Sequence, residues 1–254
     1  MNNKIPWWRT SFGEEEIQRI ADSIRNECIS QGKVTAQFER DLAEFLEIEH
    51  VIAVSNGSIS LMMALMAVGI VPGDEVIVPN RTWIATAHAV HLLGAKVVLV
   101  DVEPDRPIID ANQIEECITS KTKGMIPVHL NGRSADMGKI RDIARRHSLF
   151  VIEDAAQAIG SRNADGYLGT QSDVGCFSLS VTKTIATGQG GFAATNDTEL
   201  AKRMRAIRTH GVENMLFDPE CWFIPGFNFR FTDIQASIGI EQLKRLTERA
   251  QKLR

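Results

Sequence analysis

Short runs of β-branched residues alternate with amphipathic stretches along most of this chain of 254 residues. That alternation constrains the fold more than any other feature. The runs are Val51–Val54, Glu75–Val78, Lys96–Val100, Gly124–Val128, Phe150–Glu153, Gly175–Leu179 and Gly191–Ala194. Between them, Ser58–Val68, Trp83–Leu93, Asn112–Ile118 and Ala135–Arg146 space their apolar residues as helices do. Parallel strands need a crossover long enough to return the chain, and a helix supplies it, so the pattern predicts a mainly parallel sheet with helices on both faces. The gap between Phe177–Ser180 and Gly191–Ala194 leaves no room for a helical crossover. That pair is expected to be antiparallel, at one side of the sheet. Two helices, Gly13–Cys28 and Val34–Leu46, are expected before the first strand. A third, Asp197–His210, is capped by Asp197 and ended by Gly211. A looser segment, Val212–Arg230, leads into a helical stretch from Thr232 to Arg254.

The chain is 44% hydrophobic, enough for one large core or two small ones. With 28 basic and 32 acidic residues the net charge is −4, and no basic run stands out. Nucleic acid and anionic membrane are therefore poor candidates as partners. The amino terminus, MNNKIPWWRT, lacks the apolar core of a secretory signal. Leu61–Val71, the longest nearly apolar stretch, is too short to span a bilayer. A soluble, cytoplasmic protein is expected. Cys28, Cys117, Cys176 and Cys221 lie too far apart for a zinc motif and are expected to be incidental or buried thiols; no metal is assigned.

In an open parallel sheet, ligands bind where strand carboxyl ends lead into loops. Ser55-Asn56-Gly57-Ser58 follows one strand and opens a helix, a place that suits a phosphate; an ordinary N-cap with a turn glycine has the same pattern. Trp83 follows another strand and could stack on a planar ring, or simply fill the core. In Val151-Ile152-Glu153-Asp154-Ala155-Ala156-Gln157 an apolar strand runs into two acids, then small residues that open a helix. A buried carboxylate there calls for a cation such as a protonated pyridine nitrogen; the alternative is an N-cap aspartate with Glu153 in solvent. Lys183 stands between the apolar strand and the glycine-rich Thr187–Gly191. A lysine in a dry site loses basicity and can form a Schiff base, whereas most lysines are merely solvated. Phosphate loop, flat aromatic, carboxylate and lysine match the four parts of pyridoxal 5'-phosphate (PLP).

The motifs SNGS at Ser55–Ser58, PNRTWIATAHAV at Pro79–Val90, EDAAQA at Glu153–Ala158, FSLSVTKTIATGQGG at Phe177–Gly191 and GFNFRFTDIQASIGIEQL at Gly226–Leu243 resemble the DegT/DnrJ/EryC1/StrS sugar aminotransferases. The resemblance runs from about Ile5 to Leu253. It implies an α/β, fold type I large domain of a PLP-dependent transferase, with one antiparallel strand in a mainly parallel sheet. It implies Lys183 as the catalytic residue that holds the cofactor as an aldimine and shuttles protons, and Asp154 as partner of the pyridinium nitrogen. It further implies Gln157 on the ring hydroxyl, Trp83 on the ring face, and Gly57, Ser58 and Ser178 on the phosphate. Asn228 resembles an asparagine that reaches the phosphate of a neighbouring subunit, which makes a homodimer with shared sites the expected unit. Gln189 stands where many members have an acid, Ser180-Val181 where His-Pro is frequent, and His88 where asparagine is common.

By this resemblance residues 1–231 form the PLP-binding domain with its N-terminal helical segment. Residues 232–254 begin a helix leading to a small C-terminal domain that this chain lacks. The implied reaction moves an amino group from glutamate to the ketone of a nucleotide-linked keto-deoxy sugar, in polysaccharide or antigen biosynthesis. Two rivals stay open: amination of a keto-cyclitol, and a truncated relative that binds PLP without turnover.

Overall fold

The computed structural model describes residues 10–212 and 224–246. Its centre is a seven-stranded sheet with strand order β1-β9-β8-β5-β4-β2-β3. The strands are β1 (His50–Val54), β2 (Glu75–Pro79), β3 (Lys96–Val100), β4 (Thr122–Met125), β5 (Phe150–Asp154), β8 (Val174–Ser178) and β9 (Gly191–Thr195). The remaining two, β6 (Arg162–Asn163) and β7 (Gly166–Tyr167), make a small separate hairpin. Only β9 runs against its neighbours in the large sheet; it pairs antiparallel with β8 and with β1, which restores the common direction in β1.

Strand side chains alternate between two cores because strand periodicity is two. Ile52 and Val54 of β1 face one cluster, with Cys176, Ala193 and the helices α3 (Gly57–Ala67), α4 (Ala85–Leu92) and α6 (Thr198–Arg208). Val51 and Ala53 face the other, with Phe177, Phe192 and the helices α2 (Lys33–Leu46) and α7 (Asp233–Lys244). Phe177 and Phe192 stack across β8 and β9 with ring centroids 4.4 Å apart. Helix α5 (Met137–His147) covers β2, β4 and β5 through Met137, Ile140 and Ile143. Burial on both faces explains why β1, β2 and β9 read as continuous apolar runs.

The N-terminal helices are locked to the end of the described chain by polar contacts. Asp233, at the start of α7, accepts from the backbone N–H groups of Gly32 (2.9 Å) and Thr35 (2.8 Å) and from the Thr35 hydroxyl (2.7 Å). Its carboxylate thus caps α2, whose own Gly32 N-cap offers no side chain. Ser23 of α1 (Glu14–Arg25) meets Ser237 of α7 at 2.7 Å.

Three local expectations need correction. Asn112–Ile118 holds turns and one 3-10 turn at Glu115–Cys117 rather than an α-helix. There the Asp110 carboxylate accepts from Asn112 N–H and the Gln113 amide, and such local bonds compete with helix formation. The fourth strand starts earlier than expected and ends before Pro127, which has no N–H to give to a ladder; only an isolated bridge joins Val128 to Asp154. The small residues after Asp154 form turns, not a helix. Helix α6, with Asp197 accepting from Glu199 and Leu200 N–H, is as expected, although it ends at Arg208. Residue Cys221, much of the looser segment and the end of the last helical stretch lie outside the described residues; Cys28, Cys117 and Cys176 are free thiols.

Candidate active site

The carboxyl ends of β1, β2, β5 and β8 open into one cavity of about 1180 Å³. Its lining includes Gly57, Ser58, Trp83, Asp154, Gln157, Ser178 and Lys183, so seven of the eight residues picked from sequence converge. Asn228 is the exception. It is exposed, bridges to Thr209, and its side-chain oxygen accepts from Arg230 Nε at 2.9 Å.

Gly57 starts α3 with Asn56 as N-cap, whose Oδ1 accepts from Ile59 N–H at 2.9 Å. A Cβ on Gly57 would lie 2.8 Å from the Cβ of Ser178 and 3.3 Å from the Phe177 carbonyl oxygen. Glycine is what lets the α3 amino terminus close on the end of β8, and the free N–H groups of that terminus favour an anion beside Ser58 and Ser178.

Trp83 sits in the loop between β2 and α4 and is 69% exposed, which removes the core-filling alternative. Gln157 follows Asp154 in the turn, where its Oε1 accepts from Asn131 N–H at 3.0 Å. Lys183 is half-buried in a turn closed by its own N–H on the Ser180 carbonyl, at 2.9 Å. Among the described residues its amine has no ion pair. Burial holds this ammonium below its ordinary pKa, with the Asp154 charge opposing.

The two acids of β5 differ. Glu153 is wholly buried and saturated: it accepts from Gly169 N–H (2.8 Å), Gln171 N–H (2.7 Å) and the Ser172 hydroxyl (2.9 Å), and pairs with His129 Nε2 at 2.7 Å. The solvent-facing alternative for Glu153 is therefore wrong. Asp154 is 5% exposed and, among the described residues, takes only the Thr86 hydroxyl (2.7 Å) and Ala156 N–H (3.1 Å). Burial pushes its carboxyl above the usual carboxylate range, while Thr86, Ala156, Lys183 and His129 pull it back. A carboxylate so placed has capacity left for a cation in the cavity.

Sequence reasoning missed Thr86 and His129. Thr86 lay inside an expected helix, and a lone histidine after an apolar run carries no pattern of its own. Gln189 and Thr82 also line the cavity; Gln189 gets there because the reversed β9 brings its amino end to the side where the other strands finish.

A mainly parallel sheet whose strand-end loops gather a half-buried amine, a buried carboxylate with capacity left and a glycine-opened helix start fits the PLP-dependent, aminotransferase-like fold. The chain belongs to the DegT/DnrJ/EryC1/StrS aminotransferase family, which it matches over residues 10–254. It is 46% identical over 220 residues to the GDP-perosamine synthase of Caulobacter vibrioides, covering 86% of this chain and 58% of the relative. It is 36% identical to the spore coat polysaccharide biosynthesis protein SpsC of Bacillus subtilis, covering 97% of this chain and 66% of that protein. Among solved structures, S. venezuelae DesV in complex with a ketimine intermediate superposes with a TM-score of 0.88 at 37% identity, covering 92% of this chain and 62% of DesV. The chain thus spans roughly three fifths to two thirds of the length of these relatives.

The cofactor of the family is PLP. The residues present fit it: a buried carboxylate with hydrogen-bonding capacity left, an amine with no ion pair among the described residues, and a helix amino terminus that the lack of a Cβ on Gly57 lets close on Ser178.

Proposed function

We propose that this chain is the cofactor-binding part of an aminotransferase that moves an amino group from glutamate to the ketone of a nucleotide-linked keto-deoxy sugar. The observation that carries the reading is the joint presence of Lys183 and Asp154 in one cavity. The names of the relatives, a GDP-perosamine synthase and a spore coat polysaccharide protein, support a sugar as acceptor.

When bound, PLP supplies an aldehyde carbon and a ring that withdraws electrons from it. Lys183, held less basic than an exposed lysine by its burial, would be the amine that holds the cofactor and the group that takes and returns a proton at the reacting carbon. Asp154 would hold a proton on the ring nitrogen through charge. The Gln157 amide nitrogen would donate to the ring hydroxyl, since Oε1 is already engaged by Asn131. Gly57, Ser58 and Ser178 would hold the phosphate, and Trp83 would lie on the ring. Asn228, exposed and outside the cavity of its own chain, would serve the phosphate of a partner subunit, making a homodimer the working unit. On this reading the enzyme would work in the cytoplasm.

The test is a visible absorption spectrum of the protein with PLP, before and after glutamate. A yellow form bleached by glutamate, and regenerated by a nucleotide-linked keto sugar, is the expected result. Regeneration by a keto-cyclitol alone would replace the acceptor. A yellow form indifferent to glutamate would overturn the donor, and no colour at all would overturn the cofactor role of this chain.

A further inference from the structure

Thr86 is wholly buried in the first turn of α4, and its hydroxyl meets three oxygens. Asp154 Oδ2 is 2.7 Å away, Thr82 Oγ1 2.9 Å and the Trp83 carbonyl oxygen 3.1 Å. A hydroxyl has one proton to give and lone pairs with which to accept. The Trp83 carbonyl already takes the backbone N–H of Thr86 at 3.1 Å, so it does not need the hydroxyl. A carboxylate is the stronger acceptor, because a bond to an ionised group gains from charge. The Thr86 proton therefore goes to Asp154, and the Thr82 hydroxyl donates into Thr86. Thr82 lines the cavity, so a two-hydroxyl chain runs from the cavity wall to the buried carboxylate.

Among the described residues Thr86 is the only side chain that donates to Asp154; the other donor is the Ala156 backbone. Resting on the PLP reading above, we propose that Thr86, backed by Thr82, is the positioning residue that keeps Asp154 ionised and fixed for the ring nitrogen. Because Thr86 lies three residues from Trp83 and bonds to its carbonyl, the same helical turn sets both the carboxylate and the loop bearing the exposed aromatic. The other groups around Asp154 are Lys183 from the loop after β8, Cys176 on β8, His129 after β4, and Glu153 beside it on β5. A change at Thr86 leaves all of them in place.

The experiment compares wild type, Thr86→Val, Thr86→Ser and Thr82→Val. The Asp154 carboxyl is followed by carbon NMR in the cofactor-free protein, with Asp154→Asn to assign the signal. Thr86→Val should raise the titration midpoint by about one pH unit and weaken PLP binding on the order of tenfold, the worth of a hydrogen bond to a charged group. Thr86→Ser keeps the hydroxyl and should restore both, and Thr82→Val should shift the midpoint the same way by less. An unchanged midpoint in Thr86→Val, or a serine variant that behaves like valine, would overturn the proposal. Should Thr86→Val fail to fold, a Thr82→Val midpoint equal to wild type would overturn the backing role, and a serine midpoint away from wild type the hydroxyl role. The NMR reading needs no cofactor, so a wild type that fails to bind PLP would sink the cofactor reading while Thr86 is still decided.

Discussion

His129 Nε2 lies 2.7 Å from Glu153 Oε2, and both side chains are sealed from solvent. His129 Nδ1 accepts the Ala135 N–H at 3.2 Å, which places the imidazole proton on Nε2, facing the carboxylate. The backbone N–H of His129 in turn bonds the Asp154 carbonyl at 3.0 Å. One buried pair thus joins the end of β4, the end of β5 and the loop at Gly169–Ser172.

Removing either partner strands donors that water cannot reach. Glu153→Ala and His129→Ala should each cost on the order of 3–5 kcal/mol in chemical denaturation. Glu153→Gln, which keeps shape and some bonding, should cost less. An alanine variant as stable as wild type would show that the pair holds nothing together.

Asp154 should trade stability for function. Its folded pKa is raised, so its contribution is most favourable below the unfolded value of 3.8 and is lost as pH rises through the folded value. Above the folded value the charged group is a burden on the cofactor-free protein. Asp154→Asn can donate to Thr86 and accept from Ala156, so it should melt higher than wild type without PLP and retain PLP less well. Melting curves with and without the cofactor check both halves.

Lys183→Met should leave the fold intact and abolish the yellow colour and turnover. The lowered pKa of Lys183 has a second signature. Between that value and 10.5 the unfolded chain binds the proton more readily, so wild-type stability should rise with pH across the window. Denaturant midpoints of Lys183→Met over the same range should rise less.

Gly57→Ala forces a methyl group to within 2.8 Å of the Ser178 Cβ. The α3 amino terminus must back away from β8, at a cost of roughly 1–3 kcal/mol for an overpacked site. PLP and inorganic phosphate should both bind more weakly. Calorimetric titration with each would show it, and unchanged binding of both would remove Gly57 from the phosphate cradle.

Much of this was legible because strands buried on both faces are apolar throughout, and a loop too short for a crossover announces the reversal of β9. Strand ends then located seven cavity residues. What stayed hidden depends on partners far away in sequence: Thr86 reaches across 68 residues to Asp154, and His129 across 24 to Glu153. Single polar residues have no period to betray them. The pairing of β1 with β9 was equally silent, since an apolar strand fits many neighbours. The β6–β7 hairpin, two residues a side, is too short for alternation to register.

The carboxylate that caps α2 belongs to residue 233, and its bond to Gly32 closes a loop of 201 residues. A ribosome adding about 5–20 residues per second needs some 10–40 s to travel that distance. The second helix is made early, yet its final cap arrives only when α7 emerges, so the N-terminal helices must wait uncommitted while the intervening 201 residues are added.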